Sequence, residues 1–419
     1  MGKKSNSMHL EVEKLSGWPY QIEFESPRRL RSLDEADDST DLIEGSPIWH
    51  VDVATDLEMM ESIADQWRDL ERKSSNSATS FQSYNWCRAH LASSQERFAI
   101  INVFQNDQLV LVFPLSIHNR FGLSVATWLG DPFTQYGDVL IDKDAPCAEA
   151  VKLAWQAMLE IPGLDVLTLR KVRSDAAIST ATELKENKTD SHDLSAILEL
   201  GEFKSIECYL NSLKSKYRRN RKRIRRNLEK AGEVRFEIVE DETRRSQLIE
   251  KAIELKTSWL IQRGLMSRAA FSHSPFGILS ALRSAEGDSF QTIVSHLELD
   301  GQTAALEIGF LWNNRYFAYL GCFEPDFASM SPGTIQMEDT ISWLISNGVE
   351  TYDLFAPLDP YKSQWSNSTV SVGDYQIGMT WAGQCYVNQF EGQIVPVLRH
   401  IYNGMPDALR HWAAKLILQ

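Results

Sequence analysis

The chain has 419 residues, of which 43% are hydrophobic and 10% aromatic, so it can form two globular domains with cores of ordinary size. Its formal net charge of −14 argues against a surface built as a whole for nucleic acid or anionic lipid. No uncharged apolar stretch reaches the roughly 18 residues that a membrane span needs, and the N-terminal residues do not have the pattern of a secretory signal. We therefore expect a cytoplasmic protein without a transmembrane segment.

The five cysteines are odd in number and far apart, without the close spacing of a zinc or redox motif. We therefore expect reduced thiols and no bound metal. The sequence also contains no Ser/His/Asp order, Walker loop, GxGxxG fingerprint or cluster of metal ligands. These features argue against a hydrolase, an NTPase, a dehydrogenase and a metalloenzyme.

The first half of the chain begins with a polar segment, residues 1–45, which we expect to be a flexible tail with one short strand at 20–25. Ordered structure is predicted to start near residue 46. The pattern that follows predicts a strand, two helices, a hairpin, a helix and a strand, at 48–55, 56–73, 84–92, 98–115, 145–159 and 164–172. Residues 174–195, rich in Ser, Thr, Asp and Lys, are predicted to form an irregular linker.

The second half begins with a basic helix at 213–230 and then repeats a similar order more clearly. Its periodicity predicts a strand, two helices, three strands, a helix and three strands, at 232–240, 241–263, 276–285, 290–299, 302–312, 315–323, 334–347, 349–355, 374–381 and 383–390. The amphipathic tail is predicted to be a helix that packs against the body of the protein, with a surface or partner contact as the alternative.

The helix at 334–347 joins two strands, and such a crossover places them parallel in a sheet whose other pairs are antiparallel. The sequence thus predicts an α/β (α+β) fold with mixed, mostly antiparallel sheets flanked by helices. The similar order in both halves suggests an internal duplication. We predict an N-terminal domain at 46–200, a C-terminal domain at 201–390 with a core at 205–365, and a C-terminal helix at 391–419.

The residues Ser-Pro-Gly-Thr mark the start of the helix that follows the central strand. Ser331 can cap this helix, Pro332 suits its first position, and Gly333 allows backbone or ligand to come close. The free N–H groups and the partial positive charge of a helix start favour a phosphate. We therefore predict that these three residues and Thr334 bind a phosphate group; the alternative is a plain helix cap.

Several polar side chains follow the strand at 349–355. Asp353 could act as a general base, and Tyr361 could protonate a thiolate leaving group. Lys362 could hold a phosphate or carboxylate of the substrate, and Trp365 stands close by in the sequence. The alternative is that the aromatic residues belong to the core or its rim.

Glu307 stands inside an apolar strand, on one face with Ala305 and Gly309. A carboxylate flanked by small residues is often beside a cavity, so Glu307 is a further candidate for a catalytic role. An exposed position at the edge of a sheet is the alternative.

The basic run at 214–226 has two interpretations. It is either a solvated basic helix, or a surface that attracts an anionic cofactor, a polyanionic substrate or RNA phosphates. Because the net charge is −14 and no aromatic platform is interleaved with these residues, we predict no specific nucleic-acid partner.

Taken together, several segments resemble a known family. The motifs that carry the resemblance lie at 212–234, 259–264, 303–310, 315–334 and 352–365. They resemble the GNAT-superfamily acetyltransferases of the CelD/BcsL type, which are associated with cellulose and other exopolysaccharide synthesis. They are similar, more distantly, to the FemAB aminoacyl transferases, which pair two GNAT-like domains.

This resemblance implies tandem GNAT-like domains and an acyl-CoA-dependent N- or O-acyltransferase acting on a small-molecule or polysaccharide precursor. Acetyl-CoA or another acyl-CoA would be the co-substrate, with its pyrophosphate over Ser331, Gly333 and Thr334. The backbone implied to polarise the thioester carbonyl belongs to Tyr319, Leu320 and Gly321. One departure is that the usual GNAT loop, Gln/Arg-x-x-Gly-x-Gly/Ala, is absent.

Two other functions stay open at this point. A non-catalytic GNAT-like accessory protein, in contact with a polysaccharide-synthesis machinery, would fit the altered loop. An aminoacyl transferase of the FemAB kind would fit the basic helix.

Overall fold

A computed structural model describes residues 47–74, 76–181, 184, 188–263, 279, 282, 290–406 and 409–410. The predicted tail at 1–45 and nearly all of the predicted helix at 276–285 lie outside these residues. Among the described helices, none is long and apolar enough to cross a membrane.

The described residues form 13 strands that join in one sheet. The strands are β1 Trp49–Ala54, β2 Arg97–Gln105, β3 Gln108–Arg120, β4 Leu123–Trp128, β5 Leu140–Ile141, β6 Val166–Arg173, β7 Lys188–Glu199, β8 Val234–Ile238, β9 Phe290–Leu299, β10 Gln302–Trp312, β11 Arg315–Phe323, β12 Thr351–Asp353 and β13 Ser368–Gly378. The hairpin strands β9, β10 and β11 have the bounds that the sequence predicts.

Helices of the described residues flank this sheet. The α-helices are α1 Leu57–Ser62, α2 Ala64–Lys73, α3 Tyr84–Ser93, α4 Cys147–Leu159, α5 Ile206–Ser212, α6 Ser215–Ala231, α7 Glu242–Gln262, α8 Pro332–Ser346, α9 Lys362–Trp365, α10 Trp381–Cys385 and α11 Val395–Gly404. Short 3₁₀ turns and one π-helix lie at Ser80–Gln82, Ala177–Thr180, Pro325–Met330 and Tyr386–Ile394.

The sheet is mixed and mostly antiparallel. Its order is β1-β2-β3-β4-β6-β13-β7-β12-β11-β10-β9-β8, with β5 beside β3. Among the described strands only β4 with β6 and β11 with β12 are parallel, and helices α4 and α8 make the two crossovers. The two parallel pairs hold equivalent places in their halves, and the predicted mixed, mostly antiparallel architecture flanked by helices is confirmed.

The two halves of the chain exchange their last strands. β7 follows the first half in sequence but pairs with β12 of the second. β13, which ends the second half, pairs with β6 of the first. β7 and β13 also pair with each other, antiparallel, in the middle of the sheet. One continuous sheet therefore replaces the two separate sheets that a simple duplication would give.

The predicted linker at 174–195 is wrong in its second part, because β7 begins at Lys188. The polar composition of this segment is that of a loop, yet its residues from 188 onward pair with β13, whereas β12 pairs only with residues 197–199. Pairing with β13 therefore outweighs the weak strand propensity of these residues.

The predicted strand at 383–390 is also wrong, because this segment is helical. The Thr380 hydroxyl caps helix α10 by accepting a hydrogen bond from the N–H of Gly383, at 3.1 Å. Tyr386 and Phe390, four residues apart, stack with ring centroids 5.3 Å apart on one face. That spacing is helical, and the short alternation of apolar residues concealed it.

Helix α11 confirms the predicted helix in the tail but not its predicted packing. Its apolar side chains Val397, Leu398 and Ile401 are 57%, 55% and 51% exposed. In the described part of the chain, this face of the helix does not pack against the body of the protein.

The two faces of the second half of the sheet have different coverings. On one face, which we call the α7 face, helix α7 packs together with aromatic residues of the first half. Phe81 lies edge-on to Phe310 and Phe317, with centroids 6.4 and 6.0 Å apart. The other face, which we call the α8 face, is covered by helix α8. The end of β11 therefore lies between α8 and the first half of the chain.

Candidate functional site

Strands β11 and β12 part soon after they meet. Their parallel pairing covers three residue pairs, from Arg315 with Thr351 to Phe317 with Asp353. β11 then continues to Phe323, while the other strand ends. This leaves the second part of β11 without a neighbour from β12 and opens a gap in the sheet.

A bulge in β11 lies at this gap. Against β10, Ala318 pairs with Gly309 and Leu320 with Ile308, so the register skips Tyr319. An extra residue of this kind bends a strand and changes the direction of its backbone groups. The three residues predicted to polarise a thioester carbonyl, Tyr319 to Gly321, thus lie where β11 leaves its parallel partner. The position of Gly321 is open, since a Cβ there would meet nothing within 4 Å.

Helix α8 begins beside the gap. Pro332 is its first residue, as predicted. The predicted side-chain cap is wrong: Ser331 has a left-handed backbone, with φ of 54°, and its hydroxyl makes no capping hydrogen bond. Ser331 contributes its carbonyl oxygen instead, which accepts from the N–H of Thr334 at 3.1 Å.

The surface over this helix start is open. A Cβ on Gly333 would meet nothing within 4 Å. Because the first N–H groups of a helix are unpaired within it and carry partial positive charge, such a surface suits a phosphate. The phosphate site at Ser331, Pro332, Gly333 and Thr334 stays a prediction. Pro332 has no N–H, and the N–H groups of Ser331 and Thr334 donate to the carbonyl oxygens of Ala328 and Ser331 at 3.1 Å each.

Tyr361 lies against the same helix start. Its hydroxyl donates to the carbonyl oxygen of Gly333 at 3.4 Å and lies 3.8 Å from the sulfur of Met337. The residue is 41% exposed, but partial desolvation of its hydroxyl, with smaller effects of the Glu307 and Asp359 charges, raises the pKa of Tyr361. The phenol is therefore protonated at neutral pH.

Glu307 is buried on the α8 face, so the alternative of an exposed edge position is wrong. Its carboxylate accepts hydrogen bonds from the hydroxyls of Tyr316 at 3.1 Å and Tyr352 at 2.8 Å. Burial raises the pKa of Glu307 to about 7. Gly309 makes room for this network, because a Cβ there would lie 2.1 Å from the Tyr316 ring.

Asp353 is fully buried on the opposite side of its strand, between the two halves of the chain. Its Oδ2 lies 3.0 Å from Nη1 of Arg315 and 3.4 Å from Nη1 of Arg173. Its Oδ1 accepts from the Tyr136 hydroxyl at 2.7 Å and from the N–H of Phe355 at 3.0 Å. Both oxygens are occupied, and these contacts favour a structural role over that of a general base.

Lys362 and Trp365 belong to the short helix α9 but have different surroundings. The Lys362 ammonium donates to the carbonyl oxygen of Phe355 at 3.0 Å, beside the segment where the chain leaves β12. Trp365 is only 5% exposed, and its carbonyl oxygen accepts from the Tyr209 hydroxyl at 2.7 Å. Trp365 thus supports the site from the core, whereas Lys362 lies next to the gap.

The basic helix α6 is partly neutralised by α8. Arg221 lies 2.6 Å from the carboxylate of Glu338, and Arg225 contacts Glu338 at 3.2 Å and Asp339 at 2.5 Å. The outward positions of the helix, which include Arg219 and Arg226, are exposed. The basic run therefore has an inner set of arginines that fixes α6 to α8 and an outer set that faces solvent.

One group of described residues has the ligand atoms of a metal site, namely Glu237, His296 and Glu298. The Arg244 guanidinium lies among them, 2.5 Å from the first carboxylate and 3.0 Å from the last. Its Nη2 also lies 3.4 Å from Nδ1 of the histidine. A guanidinium occupies the position that a cation would need, so this group does not fit a metal ion.

Lys256 is a polar residue of the site region that the sequence analysis did not single out. It is half-buried on α7, and its Nζ lies 4.5 Å from the centroid of the Trp259 ring. Its position continues the buried stripe of Ile249, Ala252 and Ile253 along the helix. A lysine at an apolar position of an amphipathic helix was the signal that could have revealed it.

Comparison with known proteins agrees with this architecture. Residues 215–363, which contain the helix start and the gap, match the family described as acetyltransferase (GNAT) domain. A search of curated proteins finds no match. The second half of the chain is therefore similar to the GNAT acetyltransferase domain, and the mixed, mostly antiparallel sheet flanked by helices agrees with this similarity.

Among solved structures, that of FemX matches with 12% identity and a TM-score of 0.55, covering 75% of this chain and 95% of that chain. The C-terminal domain (DUF2156) of a putative lysylphosphatidylglycerol synthetase from Agrobacterium fabrum matches with 12% identity and a TM-score of 0.46, covering 78% and 94%. A tandem GNAT protein from the clavulanic acid biosynthesis pathway matches with 10% identity and a TM-score of 0.44, covering 79% and 99%. The likeness to FemX, at this identity, is one of fold.

Proposed function

We propose that the protein is an acyltransferase that moves an acyl group from acyl-CoA, such as acetyl-CoA, to an amine or hydroxyl of a small-molecule or polysaccharide precursor. The observation that carries this proposal is the parting of β11 from β12 beside the open start of α8. Such a gap offers the thioester a row of strand backbone groups, and the helix start offers its pyrophosphate an anion site. A role in cellulose or exopolysaccharide synthesis is proposed from the sequence resemblance alone.

In this proposal the acyl donor is held at two places. The pyrophosphate is bound by the helix start formed by Ser331, Pro332, Gly333 and Thr334. The thioester carbonyl is polarised by backbone N–H groups at the bulge formed by Tyr319, Leu320 and Gly321. Fixed backbone dipoles are effective there because they need no reorganisation as negative charge develops on the oxygen.

The acceptor attacks the thioester carbon directly, so that a new C–N or C–O bond forms and the C–S bond breaks. The acceptor gives its proton to solvent water, and the departing CoA thiolate gains one. We assign the second transfer to Tyr361, whose hydroxyl lies at the start of α8 and which, being 41% exposed, is reprotonated from solvent.

The remaining predicted residues have supporting roles in this proposal. Glu307 positions Tyr316 and Tyr352 beneath the helix. Asp353 joins the two halves, and Trp365 packs in the core. Lys362, whose ammonium lies beside the gap, is assigned to the acceptor.

The test is isothermal titration of the full chain with acetyl-CoA and with CoA. We expect saturable binding of both ligands, and an affinity loss of about tenfold or more in a Gly333→Val variant, because the added side chain blocks the approach of a phosphate. Gly404→Val is the matched control, since Gly404 is also helical and a Cβ there meets nothing within 4 Å. If folded wild-type protein gives no saturable heat with either ligand, the acyltransferase proposal fails and a non-catalytic accessory role is favoured.

A second candidate function is aminoacyl transfer of the FemAB kind. It is favoured by the fold likeness to FemX and by the exposed outer cations of α6. Reversal of charge at Arg219 and Arg226 should then reduce retention of transfer RNA, whereas Lys152→Glu on helix α4 should not. Equal retention of transfer RNA by the wild type, the Arg219/Arg226 variant and Lys152→Glu would remove this candidate function.

A further inference from the structure

We propose that Tyr319 is a positioning residue through which the first half of the chain fixes the backbone at the bulge of β11. The inference rests on the proposed acyl transfer, because the backbone N–H groups of this bulge are the ones assigned to the thioester carbonyl. It gives a role to the first half, which holds none of the groups assigned to the acyl donor. The proposal concerns the α7 face of the sheet, where aromatic residues of both halves meet.

The side chain of Tyr319 is directed by the bulge. In a regular strand, successive side chains point to opposite faces of the sheet. Tyr319 and Leu320 are neighbours in sequence, yet both pack against the cluster on the α7 face, since the register against β10 skips Tyr319. The extra residue thus brings the Tyr319 ring onto this face. Because the ring is bonded to the peptide groups of the bulge, its position constrains the direction of their N–H groups.

Three aromatic rings hold the Tyr319 ring in place. The ring centroid of Phe310, on β10, lies 4.8 Å from that of Tyr319. The centroids of Trp86 and Phe81, both from the first half, lie 5.9 and 6.3 Å away. All three of these residues are fully buried. Since contacts between aromatic rings have preferred geometries, the Tyr319 ring has little freedom to move.

The hydroxyl of Tyr319 is bound by the first half as well. It donates to the carbonyl oxygen of Phe133 at 3.1 Å. Desolvation by burial raises the pKa of Tyr319, so the hydroxyl keeps its proton and remains a donor at neutral pH. Because this hydrogen bond engages the hydroxyl in the first half, we assign no proton transfer to Tyr319. It acts on the thioester through its backbone.

The carbonyl oxygen of Phe133 belongs to a tight loop that follows β4. The N–H of Phe133 donates to the carbonyl oxygen of Gly130 at 2.7 Å. The Thr134 hydroxyl donates to the carbonyl oxygen of Leu129 at 2.9 Å and accepts from Nε1 of Trp86 at 3.2 Å. The same tryptophan therefore packs on the tyrosine ring and holds the loop that accepts the hydrogen bond from its hydroxyl.

The consequence for the reaction follows from the geometry of hydrogen bonds. A backbone N–H polarises a carbonyl group only when it points at the oxygen, and the interaction weakens steeply as the angle falls. The first half supports the bulge through one hydrogen bond and two ring contacts of Tyr319. Loss of the hydroxyl should therefore weaken the polarisation of the thioester, while the start of α8, where the pyrophosphate is proposed to bind, is unchanged.

The experiment measures the polarisation of the thioester in the full chain. Acetyl-CoA that is isotopically labelled at its carbonyl carbon is bound to the protein, and isotope-edited infrared difference spectra record the C=O band. Because hydrogen bonds to the oxygen weaken the C=O bond, we expect the band in the wild type at lower wavenumber than for acetyl-CoA in water. Tyr319→Phe keeps the ring and removes the hydroxyl. We expect it to lose about half of this shift or more, with an affinity for CoA within about twofold of wild type.

Two further variants locate the source of the effect. Thr134→Val removes the hydroxyl that joins Trp86 to the loop, so it should also reduce the shift, although Thr134 lies in the first half. Tyr402→Phe on α11 is the matched control, because its hydroxyl likewise donates to a backbone carbonyl oxygen, that of Arg410 at 3.4 Å. This control should keep the wild-type shift and the wild-type affinity for CoA. Circular dichroism checks that each variant is folded.

A full wild-type shift in Tyr319→Phe would overturn this inference and leave the acyltransferase proposal intact. An equal loss of the shift in Tyr402→Phe would also overturn it, since the effect would then not be specific to the bulge. Binding of acetyl-CoA without any shift in the wild type would remove the assignment of the thioester to the bulge, and this inference with it. If the folded wild type binds neither acetyl-CoA nor CoA, the proposed function itself fails.

Discussion

The hydroxyl of Tyr136, in the first half of the chain, donates a 2.7 Å hydrogen bond to the carboxylate of Asp353, in the second. Arg173 adds a second contact from the first half, at 3.4 Å, and the Asp353 side chain is fully buried. The Asp353 carboxylate thus has partners in both halves of the chain. Side-chain contacts therefore join the two halves, in addition to the backbone pairing of the exchanged strands.

An Asp353→Asn substitution should destabilise the protein by about 3 kcal/mol, because it leaves the buried Arg315 guanidinium without its counter-charge and leaves Arg173 paired with Asp175 alone. Urea unfolding followed by circular dichroism measures the loss, and Asp65→Asn, at an exposed helix position, is the control. Unchanged stability with a loss of acyl transfer would instead return Asp353 to a catalytic role.

Glu307 should make the stability depend on pH around neutrality. Its pKa is raised from 4.5 to about 7 in the folded protein, so the carboxyl group favours folding while it is protonated. The contribution is therefore full below about pH 4.5 and is lost as the pH rises through about 7, which amounts to about 3 kcal/mol. Glu307→Gln removes the ionisable group, and its unfolding free energy should fall less steeply over this range than that of wild type.

Urea unfolding at several pH values between 4.5 and 8 measures the two slopes. Asp65→Asn, which removes an exposed carboxylate, should keep the wild-type slope. Parallel slopes for wild type and Glu307→Gln would contradict the buried, protonatable state of Glu307.

Gly309→Ala should cost about 1–3 kcal/mol of stability, because the added methyl group overlaps the ring of Tyr316, 2.1 Å from the Cβ position. Gly321→Ala is the matched control on the neighbouring strand, where a Cβ meets nothing within 4 Å. Thermal unfolding compares the two variants. Equal melting temperatures would show that Tyr316 can move aside without loss of its hydrogen bond to Glu307.

Arg225→Ala should destabilise the packing of α6 on α8 by about 1 kcal/mol, since the arginine pairs with both Glu338 and Asp339 and is partly shielded from solvent. Its neighbour Arg226 is exposed, so Arg226→Ala should change the stability by less than about 0.5 kcal/mol. Urea unfolding of the two variants separates these values. A larger loss for Arg226 than for Arg225 would contradict the observed orientation of the helix.

Much of the fold was predictable because its elements have strong local signals. Asp300-Gly301 and Asn313-Asn314 fix the turns between β9, β10 and β11, and the residues Asp300, Asn313 and Asn314 adopt positive φ there. The helix after β11 implied a crossover, and with it the parallel pair that forms the gap. These features depend on neighbours in sequence, which is why composition and periodicity capture them.

The features of the fold and of the site that the sequence did not predict depend on contacts between residues distant in sequence. The pairing of β7 with β12 and β13, and the two arginines that hold Asp353, join segments that have no local relation in sequence. The pattern around Asp353 was that of a polar residue after a strand, which fits a base and a buried ion pair equally well. The positions of Arg315 and of two residues from the other half of the chain, Arg173 and Tyr136, separate these two roles.

The exchange of last strands has a consequence for synthesis of the protein on the ribosome. β6 ends at Arg173, but the strand that covers its open edge begins at Ser368. Because nascent chains emerge from their N terminus, the first unit is made long before its sheet is complete. An uncovered strand edge is prone to pair with other chains. Translation that stops before Ser368 should therefore yield a fragment that aggregates.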